Sequence, residues 1–143
     1  MRILIADDHE VVRKGVCNIL ESRLDVEAPI EARDGKEAVE KARELNPDLV
    51  ILDVAMPVLD GFSAAERIKK ALPSVPILMF SMHDGPEVVQ ASKLVQAQGF
   101  VTKSEDASVL LNAVDALLRG ENFFPPGAGL EVVKPSSRES TQE

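Results

Sequence analysis

Short apolar runs alternate along the chain with segments in which apolar residues recur three or four positions apart. Runs of strand length lie at residues 3–6, 26–32, 49–52, 77–80 and 99–102, and each is predicted to form a strand. Between and after them, apolar stripes predict five helices, which carry Val12, Val16, Ile19 and Leu20; Ala38, Val39, Ala42 and Leu45; Phe62, Ala65, Ile68 and Leu72; Val88, Val89, Leu94 and Val95; and Leu110, Ala113, Val114 and Leu117.

The alternation of strands and helices predicts the α/β class of fold. It gives a parallel sheet with helices on both faces, because each strand is joined to the next by a right-handed crossover. The aliphatic run at residues 49–52 indicates a strand that is covered on both faces. Pro29 interrupts the run at residues 26–32 and indicates an edge strand, since proline has no N–H to donate.

The globular part is predicted to end at Gly120. Asp34 and Asp60 stand where the second and third helices begin, and Gly120 is typical of the position just after a helix. From residue 121 onward, frequent proline, glycine and serine residues interrupt the apolar patterns of both helices and strands. We therefore predict one domain at residues 1–120 and a linker or disordered tail at residues 121–143.

Composition and charge narrow the class of protein. The 143 residues suffice for one domain with its own core, and 45% hydrophobic with 28% charged residues is a globular balance. Sixteen Lys and Arg against 24 Asp and Glu give a net charge of −8, which disfavours direct binding to nucleic acid or to an anionic membrane surface. A single cysteine, no signal-peptide pattern and no apolar run of about 20 residues predict a cytoplasmic protein.

Polar side chains lie at the ends of four predicted strands, at the edge where open α/β sheets bind ligands. Asp7 and Asp8 follow the first strand and Asp53 follows the third, while Ser81 ends the fourth and Lys103 follows the fifth. Three carboxylates in one crevice repel one another unless a cation neutralises them. Mg²⁺ suits such a site, because it binds one or two carboxylates and keeps several waters for a substrate phosphate.

Each of these residues alone has an ordinary structural explanation. Asp8 is a suitable N-cap for the first helix, and an aspartate such as Asp53 often begins a turn. A hydroxyl at a strand end and a lysine on the surface are equally common. Their combination at four separate strand ends is the feature that needs a common explanation.

The polar strand ends stand within five recognisable stretches of sequence: ILIADDH at residues 3–9, LVILDVAMP at 49–57, DG at 60–61, LMFS at 78–81 and GFVTK at 99–103. Together these stretches resemble the receiver domain of two-component response regulators, over residues 2–120. The segments DDHEVVR from Asp7 and SMHD from Ser81 are most similar to the NarL/FixJ subgroup. Full-length members of that subgroup usually carry a DNA-binding domain, for which the residues after Gly120 are too few.

The resemblance implies a CheY-like, flavodoxin-like fold with five parallel strands in the order 2-1-3-4-5. It also implies that Asp53 is the phosphoacceptor, which attacks the phosphoryl group of a phosphohistidine on a partner kinase. Asp8, Asp53 and the backbone carbonyl of Ala55 would hold Mg²⁺, with Asp7 acting largely through water. Such a division of roles agrees with phosphoryl-transfer chemistry, which depends on positioning and charge neutralisation.

The same resemblance implies how the phosphoryl group is bound and how its arrival is sensed. Lys103 and Ser81 would contact phosphoryl oxygens. Ser81 would also act as a switch residue together with Phe100, which occupies the family's switch position three residues before the lysine. Because a phenyl ring has no hydroxyl, we expect any switching at Phe100 to depend on packing alone.

Three positions depart from the commonest family pattern. Ala55 offers only a backbone carbonyl where many members have a polar side chain, and His83 stands at a position that tunes dephosphorylation. These two departures bear on the lifetime of the phosphoryl group and leave the site itself intact. Ser104 replaces the proline that often follows the lysine, so we predict no cis peptide there.

Three other functions are compatible with parts of the pattern. A Mg²⁺-dependent phosphohydrolase also uses a strand-end aspartate as nucleophile, but it places a second acid at the position of Ala55. A flavodoxin-like cofactor binder would place hydroxyl and glycine residues after the first strand, where this chain has Asp7 and Asp8. A degenerate receiver would act only as an interaction module, whereas all the pocket residues are present here.

The sequence therefore predicts a phosphorylation-controlled switch in a two-component signal-transduction system. We expect no enzymatic activity other than the protein's own phosphorylation and its slow dephosphorylation. The expected partners are a sensor histidine kinase or a phosphotransfer protein, with a second copy of the chain as a further partner. We expect the helix at residues 87–96, the fifth strand and the last helix to form the responding face, which controls an output partner or a DNA-binding domain in transcription regulation.

Overall fold

The computed structural model describes residues 1–23 and 25–125, and within these ranges it contains the five strands and five helices that the sequence predicts. Their bounds are β1 Ile3–Ala6, α1 Glu10–Leu20, β2 Ile30–Ala32, α2 Gly35–Leu45, β3 Leu49–Asp53, α3 Gly61–Ala71, β4 Ile77–Ser81, α4 Pro86–Leu94, β5 Gly99–Thr102 and α5 Ala107–Leu118. The strands pair in parallel in the order β2-β1-β3-β4-β5, which confirms the predicted topology.

The helices cover both faces of the sheet and create two core layers. On one face, α1 and α5 pack against Ile3, Ile5, Leu49, Ile51, Leu78, Phe80 and Val101. On the other, α2, α3 and α4 pack against Leu4, Ala6, Val50, Leu52, Ile77, Met79 and Phe100. Every residue of β3 is buried, as expected for the central strand of a sheet that helices cover on both sides.

Two elements are shorter than their apolar patterns predict. β2 begins at Ile30 instead of residue 26, because Pro29 has no N–H and the first paired position comes only after it. α4 runs from Pro86 to Leu94 and does not reach Gln96, whose φ of 66° lies in the left-handed region. Proline at the first helical position fixes the start of α4, since its φ already suits a helix.

The start of α3 is packed against the end of β3. Asp60 caps the helix by accepting a hydrogen bond from the N–H of Ser63 at 2.9 Å. The N–H of Gly61 donates to the carbonyl of Val54 at 2.8 Å. A Cβ at position 61 would lie 2.1 Å from the carbonyl oxygen of Asp53, so only glycine permits this close approach.

Residues 121–125 lie along the free edge of β5 and are called the β5 strap below. The N–H of Phe100 donates to the carbonyl of Phe123 at 2.8 Å, and the N–H of Phe123 donates to the carbonyl of Gln98 at 2.9 Å. Phe124 packs against the core on the α4 side, with Lys93 Nζ 5.0 Å from the centre of its ring. The predicted tail at residues 121–143 thus begins as a paired segment, and its remainder lies outside the described residues.

The longest described helix, α5, has 12 residues. Crossing a bilayer takes about 20 apolar residues in a helix. Within the described part of the chain, no helix is long and apolar enough to span a membrane.

Candidate functional site

The carboxyl ends of four neighbouring strands bring the predicted site residues together. Asp7 follows β1, Asp53 ends β3, Ser81 ends β4 and Lys103 follows β5. The backbone continues its ladder into the site, since the N–H of Lys103 donates to the carbonyl of Ser81 at 2.7 Å. The sheet itself therefore sets the positions of these side chains.

Lys103 is buried among the carboxylates. Its Nζ lies 2.7 Å from Asp7 Oδ2 and 3.2 Å from Asp53 Oδ1, and its side chain is 6% exposed. The ammonium group of Lys103 also lies over the ring of Phe80, 5.7 Å from the ring centre. Lys103 is thus a buried positive charge inside the crevice and not a solvated surface lysine.

The three aspartates differ in their access to solvent. Asp7 and Asp53 are buried, whereas the side chain of Asp8 is 31% exposed. Asp53 Oδ1 accepts a hydrogen bond from the N–H of Ala55 at 3.3 Å. Asp53 Oδ2 is buried and has no hydrogen-bond partner among the described residues. A buried carboxylate oxygen in this state is an open position for a donor or a cation.

Burial, followed by the neighbouring carboxylate of Asp7, raises the pKa of Asp53 to about 6. The ammonium of Lys103 and the N–H of Ala55 act in the opposite direction and offset part of the increase. Asp53 is therefore a carboxyl group whose negative charge is under-compensated by the protein's own residues.

The donor set fits a hard divalent cation. Ligand atoms of Asp7, Asp8, His9 and Asp53 all lie within 4.8 Å of one another. Three carboxylates face a single ammonium group, so negative charge remains for a cation to neutralise. Together with the open Asp53 Oδ2, this makes the cluster suitable for Mg²⁺, which prefers carboxylate oxygens.

The remaining predicted site residues occupy three different environments. Ser81 is buried, and its Oγ accepts a hydrogen bond from the N–H of His83 at 3.0 Å. Ala55 is exposed at the mouth of the crevice. Phe100 is 1% exposed and points to the same face of the sheet as Ser81, since Met79 pairs with Phe100 and Ser81 with Thr102.

Two residues near the site received no role from the sequence. His9 lies against Asp7 and Asp8, as the next residue after the acid pair. Arg13 is buried, and its guanidinium donates to the backbone carbonyl of Asp7 at 2.8 Å and to Glu31 Oε1 at 2.7 Å. The available signal for Arg13 was its place at helical spacing within an apolar stripe, where an arginine must find buried acceptors.

Comparison with known proteins gives a consistent result. The family model for the response regulator receiver domain matches residues 3–115. The response regulator protein VraR of Staphylococcus aureus is 36% identical over 126 residues, which are 88% of this chain and 60% of VraR. The chain spans 60–63% of the length of the first curated relatives that it matches.

Solved structures agree with these matches. A two-component response regulator of the LuxR family from Aurantimonas sp. SI85-9A1 has a TM-score of 0.83 at 35% identity, covering 87% of this chain and 89% of that one. The isolated REC domain of RcsB from Salmonella enterica serovar Typhimurium, solved in the presence of the phosphomimetic BeF3-, has a TM-score of 0.80 at 29% identity. It covers 88% of this chain and 94% of that one.

Proposed function

The chain belongs to the receiver-domain family of response regulators, and on that premise we propose that Asp53 accepts a phosphoryl group in the presence of Mg²⁺. Receiver domains of this family bind Mg²⁺ at an acidic cluster and generally act as switches, not as enzymes. The single observation that carries the proposal is the buried, unpartnered Oδ2 of Asp53 beside Lys103 and the acid pair.

In the proposed reaction, a carboxylate oxygen of Asp53 attacks the phosphorus of a phosphohistidine on a sensor kinase or phosphotransfer protein. The new O–P bond forms as the N–P bond breaks, and the imidazole of the donor leaves with the electron pair and takes up a proton. Asp8, Asp53 and the carbonyl of Ala55 would hold Mg²⁺, with Asp7 acting largely through water. The ion supplies charge neutralisation for the transferring group.

Lys103 and Ser81 are placed to bind the transferred group. Lys103 already pairs with Asp53, so phosphoryl oxygens on that residue become new acceptors for its ammonium. The Ser81 hydroxyl accepts a hydrogen bond from His83 and keeps its own proton to donate to a phosphoryl oxygen. A lysine suits this role because its charge sits on a flexible stem and can follow the anion.

The response is proposed to leave the site through β5. A movement of Ser81 toward the phosphoryl group vacates space on the face of the sheet where Phe100 is buried. Phe100 is hydrogen-bonded to the β5 strap, so its repacking would change α4, β5, α5 and the strap together. These elements form the output face, which would bind a second copy of the chain or an output partner.

The phosphohydrolase alternative receives no support. The position two residues after the nucleophile is Ala55, whose methyl group cannot serve as a general acid or base. The relatives and neighbours found are response regulators.

Incubation with acetyl phosphate and Mg²⁺, followed by intact-mass spectrometry, tests the phosphoacceptor. The chain has no tryptophan for a fluorescence assay, so mass is the appropriate measurement. We expect one phosphoryl group per wild-type chain and none with Asp53→Asn or with excess chelator. Asp84→Asn, at an exposed aspartate outside the acidic cluster, is the matched control and should behave as wild type. Equal modification of Asp53→Asn would refute the proposal.

Sedimentation with and without beryllofluoride and Mg²⁺ tests whether the chain forms a homodimer. Leu94, the last residue of α4, is 73% exposed, and such an apolar side chain gains by being covered in a dimer. We expect a shift toward dimer in the presence of beryllofluoride and a weaker shift with Leu94→Lys. A monomer at high concentration in both states would rule out the homodimer and leave phosphorylation of Asp53 untouched.

A further inference from the structure

His9 stands beside the acidic cluster and adds a nitrogen atom to its oxygen donors. Its Nδ1 lies 3.3 Å from Asp7 Oδ1 and 3.2 Å from Asp8 Oδ1. The imidazole side chain is 65% exposed, so it lies on the solvent side of the buried Asp7. Among the described residues, His83 is the other histidine, and it lies outside this group.

The local backbone directs the His9 ring to the carboxylates. His9 is the N-cap residue of α1, with an extended backbone at φ −94° and ψ 106°. Its N–H donates to Asp7 Oδ1 at 2.8 Å, which fixes the turn between β1 and α1. Within the described chain its side chain makes no capping hydrogen bond, so the imidazole is not engaged in holding the helix.

The spacing of these donors matches that of neighbouring ligands around one ion. Ligands about 2.1 Å from a six-coordinate ion lie about 3 Å apart when they are adjacent. The distance from His9 Nδ1 to Oδ1 of Asp8, the neighbouring residue proposed to hold the ion, is 3.2 Å and close to that separation. An independent observation also points to an ion here, because the buried Oδ2 of Asp53 has no hydrogen-bond partner among the described residues.

We propose that His9 is a metal ligand that raises the affinity of this site for imidazole-binding divalent metals such as Co²⁺, Ni²⁺ and Zn²⁺ relative to Mg²⁺. This inference rests on the proposed function, since it uses the same acidic cluster. Mg²⁺ gains little from a nitrogen ligand, whereas imidazole suits the transition metals. His9 thus raises affinity for the second group of ions and leaves affinity for Mg²⁺ nearly unchanged.

Pulsed electron paramagnetic resonance of bound Mn²⁺ tests the inference directly, because a coordinated imidazole produces a ¹⁴N coupling that carboxylates and water do not. The full chain is loaded with Mn²⁺ at pH 8. We expect the coupling in wild type and in His83→Asn, the matched control, and its loss in His9→Asn. Calorimetry should show about a tenfold weaker affinity for Co²⁺ in His9→Asn, with Mg²⁺ affinity changed less than about twofold.

Two results overturn the inference in distinguishable ways. Mn²⁺ that binds to wild type and is lost in Asp53→Asn, yet shows no ¹⁴N coupling, keeps the acidic site and removes His9 from it. Failure of wild type to bind either Mg²⁺ or Mn²⁺ removes the metal site itself, and with it both the proposed function and the role of His9. Persistence of the coupling in His9→Asn would assign the nitrogen to another residue.

Discussion

Asp53 meets two opposite requirements at the scale of a single residue. As the proposed nucleophile it needs its negative charge, while its burial and the carboxylate of Asp7 oppose that charge. Lys103 compensates only in part, and it is shared between Asp53 and Asp7. The proposed cation would neutralise the remaining negative charge, so its binding and the ionisation of Asp53 would be linked.

The stability of the metal-free protein should therefore depend on the pH through Asp53. Its pKa is raised to about 6 in the folded chain from the ordinary aspartate value of 3.8. The folded state then binds the proton more tightly, so the stabilising contribution is complete below about pH 4 and is lost as the pH rises through 6. In chelator, the unfolding free energy of Asp53→Asn relative to wild type should rise by up to about 3 kcal/mol between pH 4 and pH 7.

Urea denaturation of both proteins at several pH values measures this difference, and the comparison cancels the titration of groups that the two proteins share. Mg²⁺ should stabilise wild type at pH 7 and have little effect on Asp53→Asn. A difference between the two proteins that stays constant from pH 4 to pH 7 would show that Asp53 has an ordinary pKa.

Most site residues could be predicted at this scale because each stands at the end of a strand, and strand ends of a parallel sheet share one edge. Asp7, Asp53, Ser81 and Lys103 are brought to that edge as expected. The place of His9 could not be predicted in the same way. It follows from the direction of a side chain at the first turn of α1, which no sequence period reports.

At the scale of elements, the site depends on how closely α3 approaches the end of β3. Gly61 begins that helix, and a Cβ there would meet the carbonyl oxygen of Asp53 at 2.1 Å. The obstacle is the backbone of Asp53, which cannot move without displacing the site. Gly15, in the middle of α1, has no described atom within 4 Å of the same added Cβ.

Substituting alanine at the two glycines should therefore have opposite effects on stability. Gly61→Ala should lower the unfolding free energy by about 2 kcal/mol or more, since it overpacks against backbone. Gly15→Ala should raise it by about 1 kcal/mol, because alanine is the better helix former. Urea denaturation of both variants measures the difference. Equal effects of the two substitutions would mean that α3 does not approach β3 as closely as described.

The β5 strap is the other feature at this scale, and the sequence pattern does not predict it. Alternating strands and helices have periods of their own, so their order was predictable. The strap is held by backbone hydrogen bonds at Phe123 and by the packing of Phe124, two adjacent residues with no period around them. The exact bounds of β2 and α4 were not predicted for a similar reason. Pro29 and Gln96, whose φ is left-handed, each change the backbone at a single position, which a periodic pattern does not report.

Removing the Phe124 ring should loosen the strap and expose the edge of β5. In Phe124→Ala, exchange of the Phe100 amide hydrogen, which donates to Phe123, should become about tenfold faster. Exchange in the central strand, at Ile51, should follow only the change in global stability. Leu94→Ala, at an exposed position on α4, is the matched control and should leave Phe100 unchanged. Unaltered exchange of the Phe100 amide in Phe124→Ala would show that the ring does not hold the strap.

At the scale of the whole molecule, one sheet joins the acidic site to the output face. The site lies at the carboxyl ends of β1, β3, β4 and β5, while β5 is also the strand that the strap covers. Phe100 is buried between these two regions and on the same face as Ser81. A change at Asp53 therefore has a short physical route through packed side chains to α4, α5 and the strap.

Reductive trapping is the most direct test of whether Asp53 is the residue that carries the phosphoryl group. Borohydride reduces an acyl phosphate but not a free carboxylate, so it marks the modified residue permanently for peptide mapping by tandem mass spectrometry. After reaction with acetyl phosphate and Mg²⁺, we expect the reduced product at position 53 and no trapped product when Mg²⁺ is chelated. Trapping at Asp7, Asp8 or any other carboxylate in place of Asp53 would contradict the account.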